Sequence, residues 1–204
     1  MTTDRARQPL SLVLDTSSSM AGLRQELVGA TRTALEWAWN SSLLAVRPQV
    51  GVIATGGTAE LLVEHGEAFD PVDLEDLGED GPADIDGTIT LLADEVERCT
   101  VDNLRTGHRT LRPWVLLVTD GRWGRRDTVA AIDRLNAPPT RPIVYPVGVG
   151  EVDETTLARV ATHGGVAVNT LEDLDAVLAE LVRSILLDPD RVSPPPGARS
   201  LEGW

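Results

Sequence analysis

Short apolar runs alternate with helical repeats along almost the whole chain, and this alternation limits the fold more than any other feature. Leu10 to Leu14 reads as a buried strand, and Leu23, Leu27, Ala30, Ala34 and Ala38 then recur at helical spacing. Val50 to Ala54 is a second strand. The Gly56-Gly57 turn lets Ala59 to Val63 return as its antiparallel partner. Ile89, Leu92, Val96 and Cys99 mark the next helix, with Asp86-Gly87-Thr88 at its start, and Trp114 to Thr119 a strongly apolar strand. Val129, Ile132 and Leu135 give a short helix for which Asp127 is an N-cap, followed by a strand over Ile143 to Val149. Glu154 to His163 reads as a helix closed by Gly164-Gly165, and Val166 to Val168 as a last strand. A final helix carries Leu174, Val177, Leu178, Leu181 and Ile185 behind a Thr170 cap.

Strands that alternate with helices make a mostly parallel sheet covered on both faces. The expected fold is therefore three-layer, Rossmann-like α/β, with a six-stranded sheet and one antiparallel edge strand. The pattern spans residues 9–187. Residues 188–204 contain Pro189 and Pro194-Pro195-Pro196-Gly197, and read as a flexible Pro-rich tail.

With 204 residues the chain is long enough to bury a substantial core. No apolar stretch reaches the ~18 residues of a membrane span. The polar segment Met1 to Gln8 leaves no room for a signal peptide, so a cytoplasmic location and no membrane partner are expected. A single cysteine, Cys99, excludes a disulfide framework and any Cys-rich zinc site. The net charge of -14 argues against nucleic acid as a partner. Ten acidic residues and no arginine lie from Glu64 to Asp86, a stretch broken by Pro71, Gly78, Gly81 and Pro82 and therefore read mostly as a solvated loop.

In an open parallel sheet, ligands sit beyond the carboxyl ends of the strands. After the first strand comes Asp15-Thr16-Ser17-Ser18-Ser19-Met20, and after the Trp114 strand comes Asp120-Gly121-Arg122-Trp123. Thr88, at the start of the intervening helix, falls on the same rim. Two carboxylates and several hydroxyls thus converge where there is no His or Cys. Such hard oxygen donors suit Mg²⁺, with Mn²⁺ or Ca²⁺ as alternatives. Each piece has a plainer explanation, since Ser, Thr and Asp are favoured helix caps and Asp-Gly is a common turn. The coincidence of all three on one rim favours a metal site.

Asp15-x-Ser17-x-Ser19 after a first apolar strand resembles the metal-ion-dependent adhesion site (MIDAS) of von Willebrand factor A-type (VWA) domains. Gly87-Thr88 and Thr119-Asp120-Gly121 are similar to that family's second and third loops. The family motif has Gly where Ser18 stands, at a position that is not a ligand. The resemblance implies Ser17 and Ser19 as direct ligands, Thr88 as direct or water-mediated, and Asp15 and Asp120 as water-mediated or conformation-dependent. It implies a non-enzymatic module that binds another protein through an Asp or Glu carboxylate completing the metal shell. The chain is most similar to the bacterial cytoplasmic single-domain members found in tellurium-resistance, stress and conflict systems, which implies an adaptor. Some relatives are regulatory subunits of AAA-type ATPases.

Arg122, Trp123 and Arg125 are expected beside the metal, where an aromatic flanked by arginines suits a partner contact. The competing expectation is a Trp packed on its own domain. A metal-dependent hydrolase or phosphotransferase using Asp15 or Ser17 is the alternative of another class. It needs a general base, and His65, His108 and His163 are all expected on the opposite rim as solvent or boundary residues.

Overall fold

The structure, a computed structural model, describes residues 5–40, 46–66, 81–123, 129–138 and 140–201. The strands are β1 (Arg7–Asp15), β2 (Arg47–Thr55), β3 (Ala59–Gly66), β4 (Trp114–Thr119), β5 (Ile143–Gly148), β6 (Val166–Val168) and β7 (Ala198–Ser200). The helices are α1 (Arg24–Asn40), α2 (Ile85–Arg105), α3 (Val129–Leu135), α4 (Glu154–Val160) and α5 (Leu174–Leu187). One sheet runs β3-β2-β1-β4-β5-β6-β7. The five strands β2, β1, β4, β5 and β6 are parallel, and β3 and β7 close the edges antiparallel. Strand order reverses at β1, which lies between β2 and β4, and this is where an open α/β sheet forms its crevice.

The two faces are chemically different, and strand alternation sorts them. Leu10, Leu12 and Leu14 of β1, Val50, Val52 and Ala54 of β2, and Trp114, Leu116 and Val118 of β4 join one apolar cluster with α1 and α5. The opposite positions Val13, Ile53, Val115 and Leu117 pack under α2, with Leu135 of α3 and Val160 of α4. By the same alternation Asp15, its cross-strand partner Thr55, and Thr119 sit on the α2 face at the carboxyl end of their strands.

Farther down that face the interface is polar. His65 lies against Gly51, where an added Cβ would stand 3.0 Å from the imidazole, so only glycine leaves the ring its place. The ring is bonded to Ser11 Oγ at 3.1 Å through Nε2 and to Glu95 Oε1 at 3.2 Å through Nδ1. Glu95 also accepts from the His65 backbone N–H at 2.7 Å and from Arg98 at 2.6 and 2.8 Å. Burial pushes the Glu95 carboxyl up, but the hydrogen bonds from the His65 side chain and Arg98 outweigh it and bring the pKa from 4.5 to about 2.

Several expectations are corrected. The sheet has seven strands and two antiparallel edges, because Ala198–Ser200 of the expected tail pairs with β6. Leu201 is buried with Leu157 and Ala167, and its N–H donates to the Gly165 carbonyl at 3.0 Å. Residues 198–201 therefore belong to the fold. α4 ends at Val160 rather than His163, because Ala161 turns extended and Thr162 exchanges hydrogen bonds with Val144. Thr170 forms its capping box with Asp173 on a 3₁₀ turn over Leu171–Asp173 that leads into α5. His65 is a buried core residue, 7% exposed, and not a solvent histidine. Most of the acidic stretch, residues 67–80, lies outside the described residues, as do Asp127 and Trp204.

Candidate metal centre

The carboxyl ends of β1 and β4 carry the candidate cluster. Asp15 is the last residue of β1 and is completely buried. Its Oδ1 accepts the Ser17 backbone N–H at 3.0 Å. Its Oδ2 accepts the Thr119 hydroxyl at 2.5 Å and the Trp123 indole N–H at 3.3 Å. Thr119 in turn accepts from Gly121 N–H at 2.9 Å and from Trp123 Nε1 at 3.1 Å. All the donors that reach the Asp15 carboxylate are neutral. Among the described residues no arginine pairs with Asp15 or Asp120; Arg122 pairs with Glu151 instead.

Asp120 follows Thr119 and is 5% exposed. Its Oδ1 accepts the Arg122 backbone N–H at 2.8 Å, the local turn that its type favours. Gly121 has φ +76°, and an added Cβ would lie 3.0 Å from both the Asp153 carbonyl and Leu157, so this turn requires glycine. Two buried carboxylates thus stand at the ends of adjacent strands without a counter-charge from the described residues, a costly arrangement that a cation would relieve.

The hydroxyls point the same way. Ser17 caps the 3₁₀ helix over Ser18–Leu23 by position, but its side chain makes no capping hydrogen bond. Its Oγ lies 3.1 Å from Ser19 Oγ. Adjacent oxygens around an octahedral Mg²⁺ with ~2.1 Å bonds lie about 3 Å apart. That spacing also fits an ordinary hydrogen bond; what singles the pair out is that neither hydroxyl is used by the helix. Ser17 is buried and Ser19 exposed, so the pair opens toward solvent from the Asp15 side. The Ser18 N–H donates to the Gly81 carbonyl at 2.9 Å and fixes this loop against the one that leads into α2.

Thr88 is placed differently. The N-cap of α2 is Asp84, so Asp86-Gly87-Thr88 lies in the first turn of the helix as expected. Thr88 donates its hydroxyl to the Asp84 carbonyl at 2.6 Å. It lines a small apolar cavity with Val13, Ile89, Leu117 and Trp123. No hydrogen bond joins it to Ser17, Ser19 or Asp120.

The residues expected to meet a partner divide. Arg122 is half-exposed and ion-paired. Trp123 packs its ring against two core clusters of its own domain and turns its N–H onto Asp15 and Thr119. Arg125 lies outside the described residues. The part played by Trp123 inside the cluster was not visible in the sequence, where an aromatic between arginines reads equally as a surface contact.

Among the described residues, no three His, Cys, Asp or Glu side chains are grouped to hold a metal. The donor set that fits a cation here is two carboxylates with two serine hydroxyls, which suits a hard divalent ion. The residues fit a hydrolase poorly. Ser11, His65 and Glu95 are linked like a nucleophile, base and acid, but they are 1%, 7% and 4% exposed in mid-sheet, and Glu95 is clamped by Arg98. His163 meets Trp114 edge to face at the opposite end of the sheet. The Cys99 thiol is pushed up to about 12 by burial, which leaves it unreactive.

No protein-family model matches the chain, and no curated protein matches it in sequence. Solved structures do match in fold. A von Willebrand factor type A protein from Catenulispora acidiphila aligns at a TM-score of 0.65 and 14% identity, over 90% of this chain and 43% of that one. Proximal thread matrix protein 1 from the mussel byssus, solved with a zinc-occupied MIDAS motif, aligns at 0.61 and 14% identity, over 88% and 48%. The conserved hypothetical protein BatB from Bacteroides thetaiotaomicron aligns at 0.60 and 16% identity, over 87% and 98%. This chain spans less than half the length of the mussel and Catenulispora proteins. The chain has the VWA fold.

Proposed function

We propose that this protein is a divalent-cation-dependent protein-recognition module of the VWA type, without catalysis of its own. The observation that carries the reading is the Asp15 carboxylate, wholly buried among neutral donors beside Asp120 and the two unused hydroxyls of Ser17 and Ser19. Ser17, Ser19 and Asp120 would hold the ion, with Asp15 behind them. Thr88, whose hydroxyl serves α2, would contribute at most through water. When bound, the ion supplies an electrophilic centre for an anionic oxygen. Neutral serine ligands leave much of its charge uncompensated, so a partner Asp or Glu completes the shell in a charge-assisted contact. Mg²⁺ is the ion we propose, since an octahedral shell accommodates hydroxyls 3.1 Å apart. Arg122 stands at the edge of this surface, while Trp123 serves the site from within.

The narrower role follows from the sequence resemblance: an adaptor in a bacterial intracellular stress or conflict system, or a regulatory subunit of an AAA-type ATPase. No described helix is long and apolar enough to cross a membrane, which is compatible with a cytoplasmic location. The test is affinity purification with and without EDTA, using the wild type and Ser17→Ala. Partner capture should be lost in both the chelated and the mutant sample. Capture that survives chelation would remove the metal from the mechanism.

A further inference from the structure

We propose that Trp123 is a positioning residue of the cation site, and that its indole N–H limits how tightly the ion is held. This rests on the cation-site reading above. Asp15 Oδ2 is bound by two neutral donors, Thr119 Oγ1 at 2.5 Å and Trp123 Nε1 at 3.3 Å, the indole N–H being shared with Thr119 Oγ1 at 3.1 Å. Oδ1 is bound by the Ser17 N–H at 3.0 Å. Both oxygens are engaged, and among the described residues hydrogen bonds rather than an ion pair hold the carboxylate. Each of these bonds draws charge from the carboxylate and keeps it from turning onto the ion. The ion is then left with a weakly charged shell, and that is the state that accepts a carboxylate from outside.

The ring of Trp123 is fixed independently of its N–H. It packs against the core cluster that holds Ile85, Ile89 and Leu117 and against the second cluster of Leu157, Ala167 and Leu201. It also walls the cavity that Thr88 lines. Trp123→Phe therefore keeps most of the packing and removes one donor from Asp15 Oδ2. Oδ2 then keeps only the Thr119 hydroxyl without metal and gains a second partner when the ion arrives.

The experiment is calorimetric titration of wild type and Trp123→Phe with Mg²⁺, followed by titration of each Mg²⁺-loaded protein with acetate as a carboxylate probe. Trp123→Phe should bind Mg²⁺ about three- to tenfold more tightly, the scale of one ordinary hydrogen bond, since the indole N–H is shared between Asp15 and Thr119. It should bind acetate more weakly than wild type. Its metal-free melting temperature should fall while its metal-induced rise grows. A purely structural Trp123 would lower stability equally with and without metal. A Trp123→Phe protein that binds Mg²⁺ as wild type does, or more weakly, overturns the proposal and leaves the cation site standing. A wild type that takes up no Mg²⁺ overturns both.

Discussion

Leu201→Ala tests whether the C-terminal segment is part of the fold. Leu201 is 2% exposed and shares its cluster with Leu157 and Ala167. It fits so closely that a Cβ on Gly165 would lie 3.0 Å from its Cδ1. Truncating a buried leucine costs ~2–5 kcal/mol, depending on how far the site collapses. This cluster lies at the sheet edge, under a three-residue strand that can shift, so the lower end applies, about 2–3 kcal/mol. For a chain of this size that is a fall in melting temperature of roughly 4–12 °C. Urea unfolding measures the free energy directly, and an unchanged m-value would assign the loss to the cavity. Ser200→Ala, exposed on the same strand, is the control and should stay within ~0.5 kcal/mol. If Leu201→Ala is as silent as Ser200→Ala, residues 198–201 do not dock in solution, and the seventh strand is wrong.

Other outcomes follow from the same geometry. Millimolar Mg²⁺ should raise the melting temperature of the wild type, since a ligand that binds only the folded state adds ~2.7 kcal/mol at a hundredfold excess over Kd; Asp120→Ala should erase the shift in a thermal scan. The Glu95 carboxyl titrates below its unfolded value, so its stabilisation is present above about pH 4.5 and is lost as pH falls toward 2. Urea midpoints across that window should fall steeply for wild type and less for Glu95→Gln, with a difference on the order of 3 kcal/mol at neutral pH. Gly51→Ala should cost ~1–3 kcal/mol by crowding the His65 ring, and equilibrium unfolding that shows no loss would contradict the placement of that ring.

The element order was legible in the sequence because a parallel sheet covered by helices forces two periodicities on the chain. The apolar runs of β1, β2, β4 and β5 and the helical spacing of α1, α2 and α5 each report local burial, and burial is what periodicity records. The Asp15, Ser17, Ser19 and Asp120 cluster was legible for a related reason: in such a sheet the residues after β1 and β4 must meet at one rim. Three things needed the tertiary structure. The strand Ala198–Ser200 carries no period of its own; it exists because the edge of β6 offers unpaired backbone groups and Leu201 finds a pocket. Thr88 has the right type and lies in the first turn of α2, as the sequence suggested, but that turn directs its hydroxyl to the Asp84 carbonyl. Trp123 is divided between two environments, a ring in the core and an N–H on a buried carboxylate from a strand more than a hundred residues earlier. Composition and spacing describe a residue's neighbours along the chain, whereas a hydrogen bond across the sheet depends on where two distant segments end.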